Sequence, residues 1–213
     1  MSALPLMLLF LSAVALTFQS CKGKSKNNNL SAATDSLSDD ALMDTVQRRT
    51  FLYFWEGAEP NSGLAPERYH VDGVYPENDA NVVNSGGSGF GIMAIIAGIE
   101  RNYVTRAEGF ARMEKIVSFL ERADKFHGAF PHWWDGETGK IKPFSPKDDG
   151  GDLVETAFLV QGLLAAHQYY ANDNKEELEL AARMDKLCRD VDWNWYRNKE
   201  NVLFCHWSPD HKW

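Results

Sequence analysis

From Phe90 to Tyr103 nearly every position is apolar or glycine, whereas from Arg106 to Asp124 apolar and charged positions alternate with a helical period. The pairing returns further along: Leu153 to Tyr170 is mostly apolar, and Glu176 to Tyr196 again carries one apolar stripe. A helix apolar on all sides must be buried, while a striped one turns its polar face to water. The pattern therefore predicts inner and outer helices in alternation. An earlier helix is predicted at Asp40 to Trp55, with Leu42, Val46, Phe51 and Phe54 on or near one face, stopped by Gly57 and Pro60. Residues 60 to 87, rich in Gly, Pro, Asn and Asp, read as a long loop. His127 to Phe144 reads as a β-hairpin turning at Gly136-Glu-Thr-Gly139.

The two outer helices share a trace of sequence, Ala111-Arg-Met-Glu-Lys-Ile116 against Ala182-Arg-Met-Asp-Lys-Leu187. A repeated inner–outer hairpin hides its inner face only by stacking on neighbours. Closing such hairpins on themselves gives an all-α toroid. About two and a half hairpins are legible, too few for a ring, so the chain is expected to be part of one or to be completed by a partner.

The first residues read differently. Ala3 to Phe18 is uncharged and Leu-rich, and it ends at Gln19-Ser20-Cys21. A run of this kind before a small residue and a cysteine predicts a lipoprotein signal over 1–21, with Cys21 as the lipidated mature terminus. No Lys or Arg precedes the run, and a transmembrane anchor is the alternative. Residues 22–36, lysine-rich and then Asn27-Asn-Asn29, read as a solvated tether. The folded domain is expected over 37–213, and the location in the cell envelope, as a periplasmic or outer-membrane lipoprotein.

Composition narrows the partners. A net charge of −8 disfavours nucleic acid, which needs clustered Lys and Arg. Seven Trp, seven Tyr and twelve Phe exceed the ordinary needs of a helical core, and flat amphipathic rings suit a sugar-lined cleft. With Cys21 lipidated, Cys188 and Cys205 remain. Cys188 falls in a helical pattern and is expected to be buried as a small apolar residue, although a disulfide is open to it. No zinc spacing is present. Gly89-Phe-Gly91-Ile-Met-Ala94 lacks the strand of a dinucleotide site, and Ser85-Gly-Gly-Ser-Gly89 lacks the lysine of a phosphate loop, so close helix packing explains both.

Candidate chemistry sits just before the last apolar helix, at Asp148-Asp149-Gly150-Gly151-Asp152-Leu-Val-Glu155. Asp152 can N-cap that helix, and Glu155 can complete a capping exchange. The same spacing places both carboxylates on one helix face for acid–base work, and residue types alone leave the two readings open. Crowding would raise a carboxyl pKa, and a helix N-terminus would lower it. The segment His132-Trp133-Trp134-Asp135 offers stacking rings and polar tips for a sugar. Asp148, Asp149 and Arg68 are further candidates for the cleft wall.

Five motifs occur in an order that resembles the glucoamylase-like family, in particular its endo-β-1,2-glucanase branch, glycoside hydrolase family 144. They are Phe51-Leu-Tyr-Phe-Trp-Glu-Gly57, Ser88-Gly-Phe-Gly-Ile-Met-Ala94 with Gly98-Ile-Glu-Arg101, Thr105-Arg-Ala-Glu108, Pro131-His-Trp-Trp-Asp-Gly136 and Gly151-Asp-Leu-Val-Glu-Thr-Ala157. The resemblance implies an (α/α)6 barrel and inverting hydrolysis of β-1,2-glucan by a monomer with no obligatory metal or other cofactor. It also implies catalytic roles for Asp152 and Glu155. A further functional glutamate would lie beyond Trp213, so this chain alone is expected to be inactive. An exo-acting β-glucosidase-like enzyme and a lipid-anchored glycan-binding protein are the alternatives.

Overall fold

A computed structural model describes residues 37–75, 79–171 and 174–213. The expected signal segment, Cys21 and the tether lie outside the described residues.

Five helices carry the fold: α1 Asp39–Trp55, α2 Ser85–Glu100, α3 Arg106–Arg122, α4 Leu153–Tyr170 and α5 Lys175–Arg189. Short strands lie between them: β1 Val82–Asn84, β2 Trp133–Asp135, β3 Gly151–Asp152 and β4 His206–Trp207. Each helix starts where a side chain can take an otherwise orphaned backbone N–H. Ser38, Asn84 and Asn174 each take one, Asp152 takes two, and Thr105 forms a reciprocal capping box with Glu108.

The alternation of apolar and striped helices became two layers. The apolar helices α2 and α4 lie side by side, α1 packs on α2, α5 packs on α4, and α3 fills the space beside α5 and α2. Ile92, Ile95, Met113, Leu120, Leu159 and Leu163 meet in the shared core, each essentially inaccessible to solvent. Glycines set the closeness of α2 and α4. A Cβ on Gly89 would strike the Phe158 carbonyl, and one on Gly162 would strike the Gly89 carbonyl. The glycine run read as close packing serves that purpose, and it lies inside α2, which therefore begins at Ser85 and not at Phe90.

The sequence repeat has a structural counterpart. Arg112 of α3 lies over the Trp55 ring at 4.3 Å and donates to the Trp55 carbonyl at 3.1 Å, tying α3 to the end of α1. The matching Arg183 of α5 donates to Glu114 at 2.7 Å and to Glu121 at 2.8 Å, tying α5 to α3. Equivalent positions thus hold each outer helix to the one before it.

Three expectations need correction. The segment 60–87 is not all loop, because Val82 and Val83 are fully buried and form β1. The β-hairpin is narrower than expected: β2 pairs antiparallel with β1, with Val83 opposite Trp134, and the return past Gly139 forms one bridge with it, Trp134–Ile141, and no strand. Helix α5 stops at Arg189 because the Asp192 N–H donates to the His127 carbonyl at 3.0 Å, and its carboxylate caps Trp195 at 2.9 Å. Cys188 is buried and free, and Cys205 is free and exposed.

Replacing Gly162 with Ala sets a methyl group against backbone that has no side chain to move aside. Unfolding in urea should show a loss of about 1–3 kcal/mol, the usual cost of overfilling a packed interface.

Candidate active site

The N-termini of α2 and α4 come together, and one extended segment is sewn to both. Ser85, in the first turn of α2, donates its N–H to the His132 carbonyl at 3.1 Å. Thr156 of α4 accepts from the Phe130 N–H at 2.8 Å and donates back to the Phe130 carbonyl at 3.2 Å, while the Asp152 N–H also donates to that carbonyl at 2.9 Å. Residues 130–132 are thereby fixed between two helix ends. Buried Phe130 points into the core, and His132 emerges over the first turn of α4.

Both carboxylates of α4 are committed there. Asp152 caps the helix, its Oδ1 accepting from the Val154 N–H at 2.9 Å and the Glu155 N–H at 3.0 Å. Its Oδ2 lies 3.3 Å from His132 Nδ1. Glu155 Oε2 reaches across to the Gly86 N–H of α2 at 2.8 Å, and Oε1 faces His132 Nε2 at 3.8 Å. Gly86 permits this reach because a Cβ there would collide with the Glu155 carboxylate. Capping and a shared acidic face are thus simultaneous, since capping uses one oxygen of Asp152 and none of Glu155.

The electrostatics follow from these contacts. Burial alone would raise the Asp152 pKa, but His132 and the two backbone N–H groups outweigh it and hold the carboxyl below its usual range. Burial alone would lower the His132 pKa, but Asp152, Glu155 and the more distant Glu67 outweigh it and hold the imidazole above its usual value. Trp133 lies flat on the His132 ring, with centroids 3.6 Å apart and planes at 14°.

The remaining candidates separate. Trp133 joins the cluster, its far side meets the Phe144 ring at 4.9 Å, and its Nε1 is buried without a hydrogen-bond partner. Trp134 does not line the site. Strand alternation turns it inward, where it is fully buried against Phe119 and Phe130 and donates to the Asp124 carbonyl at 3.1 Å. Asp135 is spent on the turn, accepting from the Glu137 and Thr138 N–H groups, the Thr138 hydroxyl and Asn81 Nδ2. Asp148 accepts from the Ser145 hydroxyl at 2.6 Å. Both carboxylate oxygens of Asp149 are buried without a hydrogen-bond partner. Arg68 pairs with buried Asp79 at 3.3 Å and with Glu67 at 3.5 Å, and its guanidinium lies 5.7 Å from the Phe144 ring centroid.

The glycines at 150 and 151 serve close approach and not a left-handed turn. Neither has a positive φ. Their missing side chains instead let the Trp207 carbonyl and the Tyr196 hydroxyl approach β3, which pairs with β4 so that Asp152 stands opposite His206. Sequence reasoning missed the partner of Glu155, a backbone N–H contributed by another helix. Its only trace is Asn84-Ser-Gly-Gly, a cap followed by residues small enough for an approach.

No family model matches the chain. Over 190 residues it is 52% identical to an exo β-1,2-glucooligosaccharide sophorohydrolase (non-reducing end) of Parabacteroides distasonis, a match that covers 88% of this chain and 25% of that protein. The endo-β-1,2-glucanase of Chitinophaga pinensis, solved with sophorotriose and glucose, is 63% identical with a TM-score of 0.82, over 84% of this chain and 43% of that one. A solved Bacteroides caccae protein, provisionally named a glucoamylase, is 77% identical with a TM-score of 0.81, over 83% of this chain and 43% of its own. The chain thus spans a quarter of the curated relative and less than half of either solved relative.

Substituting Asp152 separates its two contributions. Asp152→Ala should cost about 1 kcal/mol through the lost cap, whereas Asp152→Asn keeps a capping oxygen and removes the charge. A carboxyl held low stabilises the fold above its unfolded pKa, and that contribution disappears as pH falls through the folded value. The thermal midpoint of the unsubstituted chain should therefore lie above that of Asp152→Asn at neutral pH, and the gap should close below about pH 4.

Proposed function

From the premise that the chain shares the family of the glucoamylase-like β-1,2-glucan hydrolases over its matched span, we propose that it forms part of a β-glucan glycoside hydrolase. Its homologues are glycoside hydrolases, one named for endo and one for exo cleavage of β-1,2-linked glucose. The carrying observation is the paired carboxylates on the first turn of a buried helix, with an imidazole between them and an aromatic ring alongside. In this reading the complete protein is an inverting endo-β-1,2-glucanase in which Asp152 and Glu155 supply acid–base chemistry on one side of the sugar. An opposing carboxylate comes from outside this chain.

The two carboxylates are not equivalent. Asp152 has both oxygens in contact with other groups, and it orients the helix end and the imidazole. Glu155 accepts a hydrogen bond through Oε2 only, while Oε1 is oriented by the His132 ring at 3.8 Å and is the atom available to a substrate hydroxyl or a water. Trp133 would carry a stacked sugar ring at its edge.

The (α/α)6 ring belongs to the same proposal. Phe90, Val154, Phe158 and Leu164 stand 39–48% exposed on otherwise apolar helices. Faces of that kind suit further inner helices packing alongside. A lipid on Cys21 would hold the enzyme at the cell envelope, where soluble glucans reach it. The exo reading remains as a second one, supported by the Parabacteroides distasonis relative.

The test is reducing-sugar release from linear β-1,2-glucan by the full gene product. Glu155→Gln should lower kcat at least about 100-fold in a protein that a thermal scan still shows to be folded, the scale of a lost acid–base group. Mixed oligosaccharide lengths would mark endo cleavage, and one short product from the chain end would mark exo cleavage. A folded protein that releases sugar from no β-glucan would overturn the hydrolase reading and favour a glycan-binding role.

A further inference from the structure

We propose that His132 is a positioning residue that acts as an imidazolium, clamped between Asp152 and Glu155 so that Glu155 keeps the orientation the reaction requires. The proposal rests on the reading of Asp152 and Glu155 as the acid–base pair, and it assigns the device that organises them.

The geometry leaves a neutral ring no good state. Nδ1 faces Asp152 Oδ2 at 3.3 Å, and Nε2 faces Glu155 Oε1 at 3.8 Å. A neutral imidazole carries one N–H, so in either tautomer a nitrogen lone pair would point at a carboxylate oxygen. The protonated ring presents a donor to each.

The ring is also held from other directions. Trp133 covers one face, the Ser85 N–H grips the His132 backbone carbonyl, and the strand is sewn to α4 through Thr156. The charged groups that face it are Asp152 and Glu155 from the start of α4 and Glu67 from the chain before β1. Glu67 is itself tied to Arg68 at 3.5 Å and to Asn84 Nδ2 at 3.1 Å. His206 lies across the β3–β4 pair from Asp152. The negative charges around His132 all favour its charged form.

Glu155 depends on this clamp. Its anchor to Gly86 fixes one oxygen, and rotation about that anchor leaves Oε1 free to swing unless His132 holds it. Loss of one imidazole proton leaves the remaining N–H with the nearer Asp152, at 3.3 Å, so that the Glu155 carboxylate at 3.8 Å loses its hold and faces a lone pair. The linkage has a definite sign. A histidine whose folded pKa is raised contributes while protonated, and the contribution is lost as pH rises through the folded value. The intact cluster therefore occupies the window between the lowered Asp152 pKa and the raised His132 pKa.

Two measurements on the full gene product test this, and they fail separately. The first follows the His132 ring by NMR across pH, assigned by comparison with His132→Gln. Its midpoint should lie above the free value of about 6.5 and fall toward it in Asp152→Asn and in Glu155→Gln. A midpoint at or below that value, or one indifferent to both substitutions, overturns the clamp whether or not the protein is active. The second is the pH profile of kcat on linear β-1,2-glucan. The alkaline limb should coincide with the NMR midpoint. His132→Gln should lower kcat at neutral pH at least about tenfold, leave KM nearly unchanged and lack that limb. His132→Arg, which keeps the charge, should recover part of the loss.

A thermal scan shows whether each variant is folded, and the NMR arm on the unsubstituted protein stands even if His132→Gln is not. An unchanged alkaline limb in folded His132→Gln overturns the role in the reaction. If Glu155→Gln stays active while the NMR result holds, the catalytic assignment of Glu155 fails, and the clamp survives as a structural feature.

Discussion

Two apolar helices packed side by side must satisfy the backbone N–H groups of their first turns, and α4 does this in part for α2. Asn84 takes one donor of α2, but the Gly86 N–H is met by Glu155, which belongs to the first turn of α4. The bond spans 69 positions in the sequence, and it requires three conditions at once. The helices must be close, which the Gly89 and Gly162 contacts provide. Residue 86 must lack a side chain, and residue 155 must be long enough to cross the gap. An unmet N–H in that place would cost about 1–3 kcal/mol. Glu155 thus takes part in the architecture as well as in the candidate chemistry.

The rest of the site is built outward from that bond. With the helix ends fixed, residues 130–132 find partners on both, and His132 is delivered between the carboxylates. Asp152 serves as helix cap, strand residue and imidazole partner, so that a change there is felt in stability and in electrostatics together. The aromatic layer behind it, from His132 through Trp133 to Phe144, runs on to Arg68, whose guanidinium is tied to Glu67 and Asp79. Charge and stacking alternate along this wall, an arrangement suited to a polar ligand with apolar faces.

The outer layer follows a simpler logic. Arg112 and Arg183 occupy the same place in the repeated segment, and each reaches from its own outer helix to the preceding one. Partners differ, carbonyls and a tryptophan face in one case and two glutamates in the other. The spacing of the repeat is preserved although the chemistry of the contact is not. Such tolerance suits an outer layer, where partly exposed ion pairs contribute little individually and packing of the inner helices decides the fold.

Periodicity alone placed all five helices, because a face that must be buried imposes a spacing on apolar residues that no loop needs. It also located the acidic run before α4 and the glycines that α2 and α4 require. The start of α2, the end of α5 and the short strands were less visible, since caps and two-residue pairings leave little pattern. Trp133, Trp134 and Asp135 could not be told apart by type, yet one stacks on His132, one fills the core and one holds a turn. That difference comes from the pairing of β2 with β1, which sets the face each side chain occupies. The partners of Asp152 and Glu155 likewise include Gly86 and His132, residues distant in sequence. Local spacing is written in the chain because each helix buries its own face, whereas the partners of a side chain exist only once separate segments have packed.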